Sequence, residues 1–128
     1  MSDRAQVALV NMPFSFSKYP SIQLGTLSAL LKSQGIPVDC HHLNVRFAYK
    51  IGVPLYEMIC EKRALFGEWL FSYLLFRDNP KRVEYPRIFK PVFEQLAQQS
   101  GHSTGYFEEL ATRIAPQFLT SALTAIDW

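Results

Sequence analysis

The sequence predicts an α/β fold: one βαβ unit of a parallel sheet, then a mainly helical half. Three observations carry that reading. Val7 to Val10 is a short apolar run with β-branched ends, and Ile36 to Leu43 is a second extended run. Between them Leu24, Leu27 and Leu31 recur at helical spacing. From Pro54 onward the apolar residues follow helical periods and no further strand pattern appears.

Val7 to Val10 suits a strand buried on both faces of a parallel sheet, and Pro13 ends it. The loop Asn11 to Pro20 interleaves Phe14, Phe16 and Tyr19 with prolines and serines. Pro20-Ser21 starts a helix, because the serine hydroxyl accepts from the free N–H groups of a first turn. Leu24, Leu27, Leu30 and Leu31 supply its apolar stripe. Gly25 inside that helix costs about 1 kcal/mol against Ala, which predicts a close approach to the neighbouring strand or to a ligand. Gln34-Gly35 stops the helix. The second strand tolerates Pro37 near its start, where an N–H is unpaired.

In the helical half, Leu55, Ile59, Phe66 and Leu70 outline one face of a helix from Pro54 to about Phe76, with a break near Gly67. Asp78-Asn79-Pro80 is a stop. A second helix runs from Pro86 or Ile88 to Gln99, with Pro91 in its first turn. A third starts near Ser103 or Thr104 and carries Phe107, Leu110, Ala111, Ile114 and Phe118, kinked by Pro116. The division is a βαβ unit at 1–50 and a helical region at 51–128 packed on it as one domain. Two parallel strands alone leave both sheet edges open.

A length of 128 residues bounds the chain to one domain, and 48% hydrophobic residues suffice for a core. The net charge of +2 is small and the cations are scattered, which argues against a nucleic-acid partner. Lys81-Arg82, Arg87 and Lys90 read as a solvated face. Cys40 and Cys60 form no C-x-x-C and read as free thiols of a cytoplasmic protein. Adjacent His41 and His42 point to opposite faces of a strand, so they form no metal set. The start MSDRAQ has no signal-peptide core. Leu65 to Phe76 has 12 residues and includes Glu68, whereas a bilayer span takes about 20, so no membrane partner is expected.

Ligands of doubly wound sheets sit outside the carboxyl ends of the strands. Here that edge is the loop Asn11 to Pro20 and the segment after Leu43. The loop has neither G-x-G-x-x-G nor a Walker pattern, which argues against the usual pyrophosphate or nucleotide cradle. It is equally too proline-rich and glycine-poor for a flavodoxin-like phosphate site. Its aromatic content suits a large, flat, partly apolar ligand, unless Phe14 and Phe16 simply pack under the loop. Asn44 and Arg46 share this edge; Asn44 either bonds the loop or a ligand amide, or caps a turn. Glu68 is either a buried functional carboxylate or lies on the wet side of its helix. Trp69 reads as core, and Cys60 as a small packing group.

The blocks VALVNMPF, PSIQLGTLSALLKSQGIPVD, HHLNVRFAYKIG, LYE and GEWLF, at their spacing over residues 5 to 76, resemble the N-terminal region of cobalamin-binding radical SAM proteins that mature ribosomally made peptides. The resemblance implies a partial Rossmann-like, B12-domain-like unit. It also implies the front of an enzyme that C-methylates peptides, in which cobalamin carries the methyl group and S-adenosylmethionine on a [4Fe–4S] cluster generates the radical. It carries over Met12, Pro13, Phe14, Ser15, Ser17, Tyr19, Pro20 and Ser21 as cobalamin-lining candidates, to which Asn44 is added from its place on the sheet edge. The chain departs from the family in having no D-x-H-x-x-G, no C-x-x-x-C-x-x-C and no later strands of a B12 domain. By itself it is expected to be inactive, as a fragment, a subunit of a split enzyme, or a degenerate relative. The expected partners are a precursor peptide or a radical SAM partner domain. The competing reading is a non-catalytic module that binds a peptide or partner chain, or forms a homodimer through the open sheet edge.

Overall fold

A computed structural model describes residues 6–62 and 64–126 of the chain. Strands β1 (Val7–Asn11) and β2 (Val38–His42) pair in parallel, in register from Val7 opposite Val38 to Asn11 opposite His42. Helix α1 (Ile22–Ser33) makes the crossover between them. Ser21 caps it as expected, with Oγ accepting from Leu24 N at 3.2 Å. At its other end Gly35, at φ 74°, lets Gly35 N reach Lys32 O and Ile36 N reach Leu31 O, both at 3.0 Å. These two bonds make a Schellman motif, whose left-handed position glycine adopts without a Cβ penalty.

The second strand is shorter than the sequence predicts. Leu43 already belongs to α2 (Leu43–Ile51), which leaves β2 without an intervening turn. Gly52, at φ 96°, separates it from α3 (Val53–Cys60). The long helix expected to Phe76 is broken after Cys60, not at Gly67: α4 (Phe66–Phe71) follows and tightens into a 3₁₀ turn at Ser72–Leu74. Next comes α5 (Pro80–Ile88), which the sequence reading misses. Asn79 Oδ1 accepts from Lys81 N at 3.0 Å and Pro80 opens the first turn, so the triplet expected to stop a helix instead starts one, the preceding turn having already ended at Leu74. Within α5, Pro86 has no N–H to offer the carbonyl of Arg82. Trp69 Nε1 donates to that carbonyl instead, at 3.0 Å.

Helices α6 (Lys90–Ser100), α7 (Thr104–Glu109) and α8 (Ala115–Thr124) complete the chain. The kink expected at Pro116 takes the form of a π-helical turn at Leu110–Ile114, one residue before α8 reaches the proline.

One core joins α2 to α8. Leu43, Phe47, Tyr56, Phe66, Leu70, Leu96, Phe107 and Leu110 are fully enclosed in it, each contributing about 1.5–3 kcal/mol of burial. Leu43 to Ile51 therefore packs with the helical part. The βαβ unit sits at the side of this core, touching it through Val10 and Phe14. Only Ser28 of α1 is buried, while Ile22, Leu27 and Leu30 are 79%, 46% and 57% exposed. Of the predicted leucine stripe, Leu27 and Leu30 are thus open and Leu24 and Leu31 half-buried. Gly25 is corrected too: a Cβ there would meet nothing within 4 Å, so no close strand approach explains it.

Candidate functional site

The loop after β1 is fastened to the helical core by three residues. Phe14 inserts its ring there, stacked on Tyr56 at 5.2 Å and edge-on to Phe47 at 5.6 Å. Gly67, in the first turn of α4, makes room for it: a Cβ on Gly67 would lie 2.8 Å from Phe14 Cγ. The Tyr56 hydroxyl donates to Ser15 O at 2.6 Å. Ser17 donates twice to one oxygen of Glu57, from its N–H at 2.9 Å and from its hydroxyl. Glu57 is 6% exposed, and these two donors satisfy a carboxylate that burial would otherwise penalise.

The electrostatics around this clamp suit holding more than reacting. Burial, then the neighbouring Cys60 and Glu57, raise the Tyr56 phenol well above its ordinary range, so it keeps its proton and remains a donor. Burial first, then Glu57, push the Cys60 thiol up to about 12. A thiol this basic is neutral near pH 7 and is neither a nucleophile nor a ready metal ligand.

With the loop held from behind, its front bounds a hollow of about 430 Å³ at the carboxyl end of β1. Asn11, Ser15, Phe16, Tyr19, Pro20, Ser21, Gln23 and Leu24 line it. The Ser15 hydroxyl donates to Asn11 Oδ1 at 2.8 Å across its floor. Phe16 and Tyr19 meet edge to face, centroids 6.4 Å apart. Pro20, Ser21 and Leu24 also border a second hollow of about 440 Å³, which runs along α1 past Gly25, Ser28 and Lys32 to Cys40 and His42 of β2.

The candidates thus divide. Ser15, Tyr19, Pro20 and Ser21 line the carboxyl-edge hollow. Phe14 and Ser17 face the helical core and anchor the loop. Met12 is exposed and Pro13 half-buried, and neither lines either hollow. Asn44, 2% exposed, lies in the first turn of α2, and its Oδ1 has no hydrogen-bond partner among the described residues. Glu68 is exposed and Trp69 buried.

The sequence reading includes Tyr56 and Glu57 in the LYE block but assigns them no role. Their only local signal is an acid set among the apolar Leu55, Tyr56 and Ile59; their partners lie about forty residues away. Replacing Glu57 with Ala should leave the Ser17 N–H unanswered and cost about 1–3 kcal/mol. Hydrogen exchange would show it as faster exchange at Ser17 with β1 and β2 unchanged, whereas Glu57→Gln, which keeps an acceptor, should lose less. No family model, curated protein or solved structure matches the chain.

Proposed function

We propose that this chain is the cobalamin-facing N-terminal part of a radical SAM enzyme that modifies ribosomally made peptides, by C-methylation. The observation that supports it is the carboxyl-edge hollow, where four of the resemblance-derived candidates meet on a loop without a phosphate cradle. The lining suits one edge of a corrin, a flat ring fringed with amides. Ser15, Ser21 and Tyr19 offer hydroxyls, Asn11 and Gln23 offer carboxamides, and Phe16 offers an aromatic face. Cobalamin, when bound, supplies carriage of a methyl group on cobalt. The chain's residues would bind and orient: the serines and amides hold the ring's fringe, while Tyr56, Glu57 and Phe14 keep the loop in place. No histidine lines this hollow, so no axial cobalt ligand is assigned. The cluster and S-adenosylmethionine would need C-x-x-x-C-x-x-C from a partner domain, and the open apolar face of α1 gives such a domain a surface to cover. That same face supports the second reading, a docking module without chemistry.

Titration with hydroxocobalamin tests the proposal. Its visible bands should shift, and the cofactor should co-elute with the chain in gel filtration. Gln23→Trp should block both by filling the hollow, with the circular dichroism unchanged. Unshifted bands and separate elution at saturating cobalamin would overturn the proposal.

A further inference from the structure

A third hollow lies away from the sheet, between α4 and α5. It measures about 350 Å³ and its walls are almost wholly apolar. Trp69 and Tyr85 form one wall, stacked at 5.5 Å with planes 13° apart. Leu65 and Phe76 stand at the lip, and Lys81 and Arg82 border it.

Leu65 is the informative residue. It sits at φ 54°, ψ 35°, in the left-handed region, a conformation that costs an L-residue about 1–2 kcal/mol. It is also 65% exposed, so burial within the chain does little to offset that cost. Glycine would be cheaper there for the fold alone. Leu75 and Phe76, 79% and 56% exposed, carry the apolar surface outward from the hollow. A surface that extends beyond its cavity suits a polypeptide better than a small molecule.

The charges that line it are Lys81 and Arg82 against Glu68, a net +1. Arg82 is not the solvated cation the sequence suggests. Its guanidinium lies 4.6 Å from the centre of the Tyr73 ring and Nε donates to Ser72 Oγ at 3.0 Å. Its Nη2 is buried without a hydrogen-bond partner among the described residues. One carboxylate, Glu68, lines the same hollow, so the cationic side toward Lys81 is where an acidic group would lie.

We propose that the hollow between α4 and α5 docks a peptide segment that places large apolar side chains next to carboxylates. An apolar side chain enters between Leu65 and the Trp69–Tyr85 wall, and a carboxylate of the same segment meets the exposed Lys81. The proposal is independent of the cobalamin reading.

The test is fluorescence anisotropy with a labelled peptide of repeating Leu-Asp-Phe-Glu. Two matched peptides serve as controls, one with Lys for the acids and one with Ser for the apolar residues. The first should bind and the other two should not. Leu65→Gly should leave the melting temperature unchanged or raise it, since it relieves the backbone, yet weaken binding about tenfold through lost apolar contact. Lys81→Glu should weaken binding with stability unchanged. Equal binding of the lysine peptide, displacement by an RNA oligonucleotide, or unaltered binding by Leu65→Gly would overturn the proposal. So would a lower melting temperature in Leu65→Gly, because the fold itself would then need the leucine.

Discussion

Phe47→Ala should lower the stability of the chain by about 3–5 kcal/mol, the range for deleting an enclosed phenylalanine. Phe47 is 0% exposed. Its ring meets Phe118 at 4.9 Å, Phe71 at 5.4 Å, Phe14 at 5.6 Å and Tyr56 at 6.4 Å. It thereby ties α2 to α8, to α4, to the loop after β1 and to α3. A small domain holds only about 5–15 kcal/mol in total, so the loss should be plain in urea unfolding as a lower midpoint. A change under about 1 kcal/mol would mean that the aromatic cluster does not hold these elements together.

Gly67→Ala should cost about 1–3 kcal/mol, as overpacking of a filled core does, and should act on the sheet-edge hollow from a distance. The added methyl would meet the body of the Phe14 ring, with Cγ at 2.8 Å and Cβ at 3.1 Å. Phe14 has little room to yield, since Tyr56, Phe47 and Phe71 surround it. Either α4 moves or the ring withdraws, and withdrawal would release the loop that bounds the hollow. The variant should therefore melt several degrees lower and show faster hydrogen exchange across Asn11 to Pro20. Phe14→Leu in the same chain should recover part of the loss, because residues in contact do not add independently. Additive effects in the double variant would contradict this packing.

The two cases show why the fold and the candidate site were unequally legible. Gly67 falls in an apolar run, and residues 66–71 look the same whether the glycine is a helix break or a seat for a distant ring. The sequence suggested a break; the structure shows a seat, because Phe14 arrives from another part of the chain. Phe14 and Phe16 are equally plausible ligand contacts in one dimension. They separate only when the loop is fastened from behind by Tyr56 and Glu57, which leaves Phe16 facing the hollow and Phe14 in the core.

Taken alone, the sequence determined the β1–α1–β2 order, the Ser21 cap, the Gly35 stop and the turn at Asn79-Pro80. The cap, the stop and the turn rest on hydrogen bonds or backbone angles set within a few residues, so neighbours in the chain suffice to specify them. Only the tertiary structure decided that α1 leaves Leu27 and Leu30 open, that Trp69 answers the carbonyl freed by Pro86, and that Glu57 holds Ser17. The last two depend on partners 13 and 40 residues apart in sequence. A buried polar group takes whatever donor the packing delivers to it, and no local pattern records which one that is.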